Sequence, residues 1–161
     1  MVHFKIEIIM EQIIKLNSGA KLSPHFTLGE LTKSNSHPEI YNIPSHEAIA
    51  NLKRVCVWLE ELRTRAGGPI MINSGYRSPQ LNRAIGGVPT SNHLTGCAVD
   101  IRVTGMEQLI VYAAILIQYA NETKQDFDEL LIEKNAHGAI WLHFAVRPSN
   151  NRRKVRCVSQ C

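Results

Sequence analysis

The stretch SNHLTGCAVD, residues 91–100, sets a histidine and a carboxylate seven positions apart, with Gly96 between them. Neutral imidazole and carboxylate are both zinc ligands. Hydrolytic zinc sites take three protein ligands and keep one position for water. Asp100 is the more telling of the two. It lies inside CAVDIRV, an apolar run that reads as a buried strand. A buried carboxylate without a partner is disfavoured by on the order of several kcal/mol. A metal ion would offset that penalty, and so would an arginine, for which Arg77 is a candidate. Spacing alone leaves both open. A third ligand should come from a neighbouring strand, and His143 in IWLHFAV is the best-placed histidine. Its alternative is a core histidine satisfied by its neighbours. His3, His25, His37 and His46 fall among polar N-terminal residues and read as solvated. His137 falls in a turn and reads as exposed.

These residues need elements to position them. Residues 1–22 read as a helical arm or a short strand plus helix, with Ile6, Ile9, Met10 and Ile13 at amphipathic helical spacing. Residues 23–45 are rich in Ser, Pro, Asn and Gly and read as a surface loop with one short helical turn. Pro44-Ser45 opens a helix whose apolar stripe is Ile49, Leu52, Val55, Cys56, Leu59 and Leu62, and Gly67-Gly68 stop it. Residues 69–76 read as a buried strand leading into a turn, and residues 77–93 as loop with a helical turn near Gln80 to Ala84. AVDIRV (98–103) is a second strand. Thr104 and Glu107 form a capping box for a helix with Leu109, Ile110, Ala113, Ala114 and Ile117 inward. FDELLIE (127–133) and AIWLHFAV (139–146) read as an antiparallel hairpin around KNAHG. Residues 148–161 are basic and read as a solvated tail. The pattern is α+β: a small, mainly antiparallel sheet with helices packed on one side.

With 161 residues and 44% hydrophobic content, the chain suits one globular domain spanning 1–161, its core at 26–147. A net charge of +4 suits a polyanionic partner. Aromatic residues make up only 6% and no nucleic-acid-binding signature occurs, so an anionic cell wall is preferred over nucleic acid. None of Cys56, Cys97, Cys157 and Cys161 has CxxC spacing, which argues against a zinc ribbon. Cys56 and Cys97 read as buried thiols. Cys157 and Cys161 are left as free thiols or a local pair. Lys5, Glu7, Glu11 and Lys15 interrupt the N-terminal apolar run, so no signal peptide and no membrane span are expected.

At this point the residues carry a resemblance. INSGYRSPQLNRAIGGVPTSNHLTGCAVDI resembles the signature of the zinc D-alanyl-D-alanine carboxypeptidase and peptidoglycan L-alanyl-D-glutamate endopeptidase family, which includes phage endolysins and shares its fold with the hedgehog signalling domain. That family joins an SGYRS loop to an S-x-H-x-x-G-x-A-x-D stretch, matched by Ser91, His93, Gly96, Ala98 and Asp100. It closes with W-x-H, matched by Trp141 and His143. The resemblance runs from about Phe26 to Arg147. It implies one Zn2+ per chain bound by His93, Asp100 and His143. It also implies that Arg77 binds substrate or stabilises the transition state, and that Ser91 contacts the substrate peptide. Tyr76, beside Arg77, is either a substrate hydrogen-bond partner or a packing aromatic.

The general base is the weaker match. Some members place Glu three residues before the last histidine, where this chain has Ile140. The phage-type subgroup places it at the end of the preceding strand, which points to Glu133. If Glu133 pairs with Trp141, Glu133 and His143 share a sheet face as diagonal neighbours, roughly 7 Å apart at Cβ. A slip of one residue would turn Glu133 to the other face, where it would be an ordinary solvent-facing residue. The expected activity is hydrolysis of peptidoglycan stem peptides at a D-Ala-D-Ala or L-Ala-D-Glu bond. A monomer is expected, cytoplasmic until lysis or carried on a virion. Two rivals are a non-catalytic zinc-containing wall-binding module and a phage structural protein with a vestigial site.

Overall fold

Apolar residues alternate along three central strands and recur at helical spacing along two helices, and these two patterns meet in one core. The computed structural model describes residues 18–159. Most of the N-terminal arm, with His3, therefore lies outside the described residues, as does Cys161. The elements run α1 (Leu28–Thr32), α2 (His46–Ala66), β1 (Ile72–Ser74), α3 (Pro79–Ala84), a 3-10 turn (Asn92–Thr95), β2 (Ala98–Arg102), α4 (Met106–Thr123), β3 (Glu129–Lys134), β4 (Ile140–Ala145) and β5 (Lys154–Ser159). The strands form one sheet in the order β1-β2-β4-β3-β5. All neighbours are antiparallel except β3 and β5. This is an α+β fold.

Side chains on a strand alternate between faces. Val99, Ile101, Leu130, Leu142 and Phe144 turn to the face covered by α2 and α4 and share a core with Leu52, Trp58, Leu59, Leu109 and Leu116. Trp58 sits at its centre, 5.3 Å from Phe144 and 4.9 Å from Tyr119 between ring centroids. Asp100, His143 and Glu133 fall on the opposite face by the same alternation. The register is Asp100↔His143 across β2 and β4, and Glu133↔Trp141 across β3 and β4. The pairing that puts Glu133 and His143 on one face is thus the one adopted.

Several local expectations are corrected. Residues 154–159 are not a free tail: they pair in parallel with β3, although most of their side chains stay exposed. Thr104 does not cap α4. Gly105 is the N-cap and makes no side-chain cap, while the Gln108 side chain accepts from the Thr104 N–H at 2.8 Å. The inner face of α4 is Leu109, Tyr112, Ala113, Leu116 and Ala120, with Ile110 56% exposed. The near-continuous run LIVYAAILI hides its own period, so tertiary packing chooses the face. The first strand is shorter than 69–76, spanning only Ile72–Ser74, with a register irregularity within it. His25 and His37 are solvent-accessible, as expected, and there pair with Glu60 and Glu39 at 2.7 and 3.1 Å.

Candidate active site

His93 sits in the 3-10 turn that enters β2. Ser91 caps that turn, its hydroxyl accepting from the His93 N–H at 3.3 Å. Gly96 ends it at φ 74°, a left-handed conformation that disfavours any side chain. A Cβ there would also lie 2.5 Å from the Ala48 carbonyl oxygen of α2. The turn is therefore pressed against the helix, and the His93 side chain is driven under the SGYRS loop. Its Nδ1 lies 2.7 Å from the Gly75 carbonyl. That acceptor fixes the ring with the proton on Nδ1 and leaves the Nε2 lone pair facing inward. Gly75 itself admits no side chain, since a Cβ would meet the Leu31 carbonyl oxygen at 2.3 Å.

Nε2 of His93, Oδ1 of Asp100 and Nδ1 of His143 converge. Their separations are 3.3 Å (His93–Asp100), 3.0 Å (His143–Asp100) and 3.3 Å (His93–His143). The three residues are buried and form a group whose ligand atoms lie within 4.8 Å of one another. The donor set suits a divalent ion of borderline softness such as zinc. Both histidines also have a partner on the nitrogen turned away from the cluster, as metal-bound imidazoles usually do. For His93 it is Gly75, and for His143 it is Glu129, whose Oε2 lies 3.1 Å from Nε2.

Arg77 and a metal were alternative answers to the buried Asp100, and the geometry accommodates both. Oδ2 accepts from Arg77 Nη2 at 2.9 Å, while Oδ1 faces the histidines. Arg77 is held in turn by Ser74 Oγ at 3.0 Å, and its backbone N–H donates to the His93 carbonyl.

Electrostatics follow from burial and these contacts. Burial would raise the Asp100 carboxyl, but the charges and hydrogen bonds of His93 and His143 outweigh it and hold it far below the ordinary range. Burial lowers the His93 imidazole. Burial would lower His143 too, yet its hydrogen bonds to Asp100 and Glu129 hold it up at about 9. Glu133 is pushed up, first by burial and then by the Asp100 charge. A carboxylate whose pKa is raised is a better proton acceptor. Trp141, its cross-strand partner, has a buried indole N–H with no acceptor at hydrogen-bonding geometry.

The remaining candidates are placed as follows. Tyr76 is 8% exposed and its ring belongs to the core, which is the packing reading. Its N–H donates to the Leu31 carbonyl, and its carbonyl accepts from Asn42. Ser91 serves first as the cap of the His93 turn. His137 lies exposed in the hairpin turn, away from the cluster. Sequence reasoning missed Asn92, Asp128 and Glu129. Glu129 had a signal: it stands four residues before Glu133 on one strand, so alternation puts both on the same face. Asn92 and Asp128 had none, because their contact joins segments far apart in the chain.

Beside Arg77 lies a cleft of about 190 Å³, bordered by Lys33, Ser34, Asn73 and Ser74. Among the described residues no helix is long and apolar enough to cross a membrane.

Comparison with known proteins bears on the same residues. A zinc D-Ala-D-Ala carboxypeptidase of Streptomyces albus G is 35% identical over 79 residues, which are 48% of this chain and 31% of that protein. The aligned stretch is therefore less than a third of that relative's length. The profile of the Peptidase M15 family matches residues 24–134, a span that contains Arg77, His93, Asp100 and Glu133. The chain belongs to the peptidase M15 family.

Proposed function

We propose that this chain is a zinc peptidase that hydrolyses peptidoglycan stem peptides. The observation that carries the reading is the convergence of His93, Asp100 and His143 on one point, with Glu133 on the same sheet face. These three residues would hold the ion. When bound, zinc supplies Lewis-acid polarisation of the scissile carbonyl and lowers the pKa of water toward ~7. The chain's own groups do the rest. Glu133 accepts the proton of the attacking water and returns it to the leaving amine. Its raised pKa matches that double task. Arg77 forms a wall of the cleft, to which Leu81 and Ile85 add apolar surface, and its guanidinium offers donors to a substrate carboxylate or to the developing oxyanion. Lys33 at the cleft edge adds a second cation. Ser91 uses its oxygen as a cap and keeps its hydroxyl hydrogen for a substrate carbonyl. The buried ligand set leaves little freedom for reorganisation, which favours catalysis by fixed dipoles.

The D-Ala-D-Ala bond is the first substrate to try, in line with the name of the Streptomyces relative. The deciding experiment joins metal analysis of the purified protein to mass spectrometry of a muropeptide digest. One zinc per chain and loss of a terminal D-alanine support the carboxypeptidase form. Release between L-Ala and D-Glu supports the endopeptidase form. Zinc-loaded protein that leaves every muropeptide intact would sink the enzymatic reading and favour a wall-binding module.

A further inference from the structure

The C-terminal segment, expected from sequence to be a solvated tail, reaches the surroundings of the ligand set. Residues 147–154 bring three cations, Arg147, Arg152 and Lys154, against the buried Asp128 and the half-buried Glu129 at the start of β3. Arg152 grips Asp128 with two side-chain bonds, Nε to Oδ1 at 2.9 Å and Nη2 to Oδ2 at 2.7 Å, and its backbone N–H adds a third at 3.1 Å. The same Nη2 reaches Glu129 Oε1 at 3.0 Å. Lys154 Nζ lies 3.5 Å from that oxygen, and Arg147 Nε lies 3.2 Å from Asp128 Oδ1.

Both carboxylates then point inward. Glu129 turns its other oxygen to His143 Nε2 at 3.1 Å. Asn92, the residue before His93, donates one amide hydrogen bond to Asp128 at 2.7 Å and another to Glu129 at 3.1 Å. One guanidinium thus stands two contacts from His143 and, through Asp128 and Asn92, on the backbone of the His93 turn. Without it, Asp128 and Glu129 would lie side by side with fewer opposing charges. Mutual repulsion would then loosen the two carboxylates that aim the rings.

Resting on the metal-centre reading above, we propose that Arg152 is a positioning residue for the metal centre. It clamps Asp128 and Glu129 so that the His93 turn and the His143 ring are preset for the ion. The C-terminal segment, which lies beyond the span matched by the family profile, is on this view part of the centre. The partners of metal-bound histidines typically change metal affinity by roughly 10–100-fold when removed.

Arg153 provides an internal control. It sits next in sequence, and pairs with Asp126 at 3.0 Å and over the Phe127 ring at 5.4 Å, on a network that does not reach the ligands. The experiment titrates metal-free protein with zinc against a chelating indicator, and records the visible spectrum of the cobalt-substituted protein. Arg152→Ala should weaken zinc binding by about tenfold or more and alter the cobalt spectrum. Arg152→Lys should recover part of the affinity, since it restores charge without the two-pronged grip. Arg153→Ala should bind zinc like the parent. Unchanged affinity in Arg152→Ala would overturn the proposal, and so would an equal loss in Arg153→Ala. Should Arg152→Ala fail to fold, Arg152→Lys and Glu129→Gln carry the same comparison, and parental affinity and cobalt spectra in both would overturn it. A parent protein that bound no zinc would be a different failure, that of the metal reading itself.

Discussion

At the scale of single residues, the proposed function separates metal binding from proton transfer. His93, Asp100 and His143 have their polar atoms committed to one another or to fixed partners. Glu133 stands on the same face but outside the ligand group. Glu133→Gln keeps the size and removes the proton acceptor. It should therefore leave zinc content at one per chain and lower turnover of a muropeptide by about 100-fold or more, as read by parallel metal analysis and a digest time course. Equal turnover would return Glu133 to an ordinary strand residue. Much of this was legible from residue type. A carboxylate in CAVDIRV demanded a partner before any contact was known, because burial of charge is so unfavourable. The demand could not say which partner. Arg77 and the histidines take different oxygens of the same carboxylate, and only coordinates divide them that way.

At the scale of elements, the site depends on two close approaches. The first is register. Alternation made Glu133 and His143 co-facial only if Glu133 met Trp141, and the hairpin turn delivers that pairing. Asn135 sets the turn: its Oδ1 accepts from the His137 and Ala139 N–H groups at 3.0 and 2.9 Å. The second is the press of the His93 turn on α2. Gly96→Ala places a methyl group 2.5 Å from the Ala48 carbonyl at a φ of 74°. Strain of both kinds should lower stability by roughly 1–3 kcal/mol, measurable by urea unfolding of the metal-free protein, and should weaken zinc binding by shifting His93. A parental midpoint and affinity would show that the turn has room to move. The elements least legible in sequence were α4's buried face and β5. In α4 every position from Leu109 to Ile117 is apolar, so no stripe stands out there. In β5 the alternation of Lys154, Val155, Arg156 and Cys157 is real, but solvent bathes both faces of this edge strand. What fixes β5 is a parallel pairing with β3 and an ion pair to Asp128, both set by the tertiary fold.

At the scale of the whole molecule, the chain is basic by +4, yet its charges are not evenly spread. Asp128 and Glu129 lie together at the start of β3, and Arg147, Arg152 and Lys154 converge on them. Asp128 is the deepest of these groups, 0% exposed, and it joins β3, the C-terminal segment and, through Asn92, the His93 turn. Burial would raise its carboxyl, but Arg152, Asn92 and the charge of Arg147 hold it down at about 2. A carboxyl lowered on folding stabilises the folded state above its unfolded value, near 4, and loses that contribution as pH falls toward 2. The shift corresponds to on the order of 2 kcal/mol. Asp128→Asn should therefore be less stable than the parent at pH 6, by about that amount or more, since Arg152 is left facing an amide. The gap should narrow steadily from pH 4 to pH 2, where the parent's own carboxyl takes up its proton. Urea unfolding of both metal-free proteins across that range measures it directly. A gap that stayed constant through the window would mean that Asp128 acts by its shape and hydrogen bonds. Its negative charge would then not be what ties the C-terminal segment to the sheet.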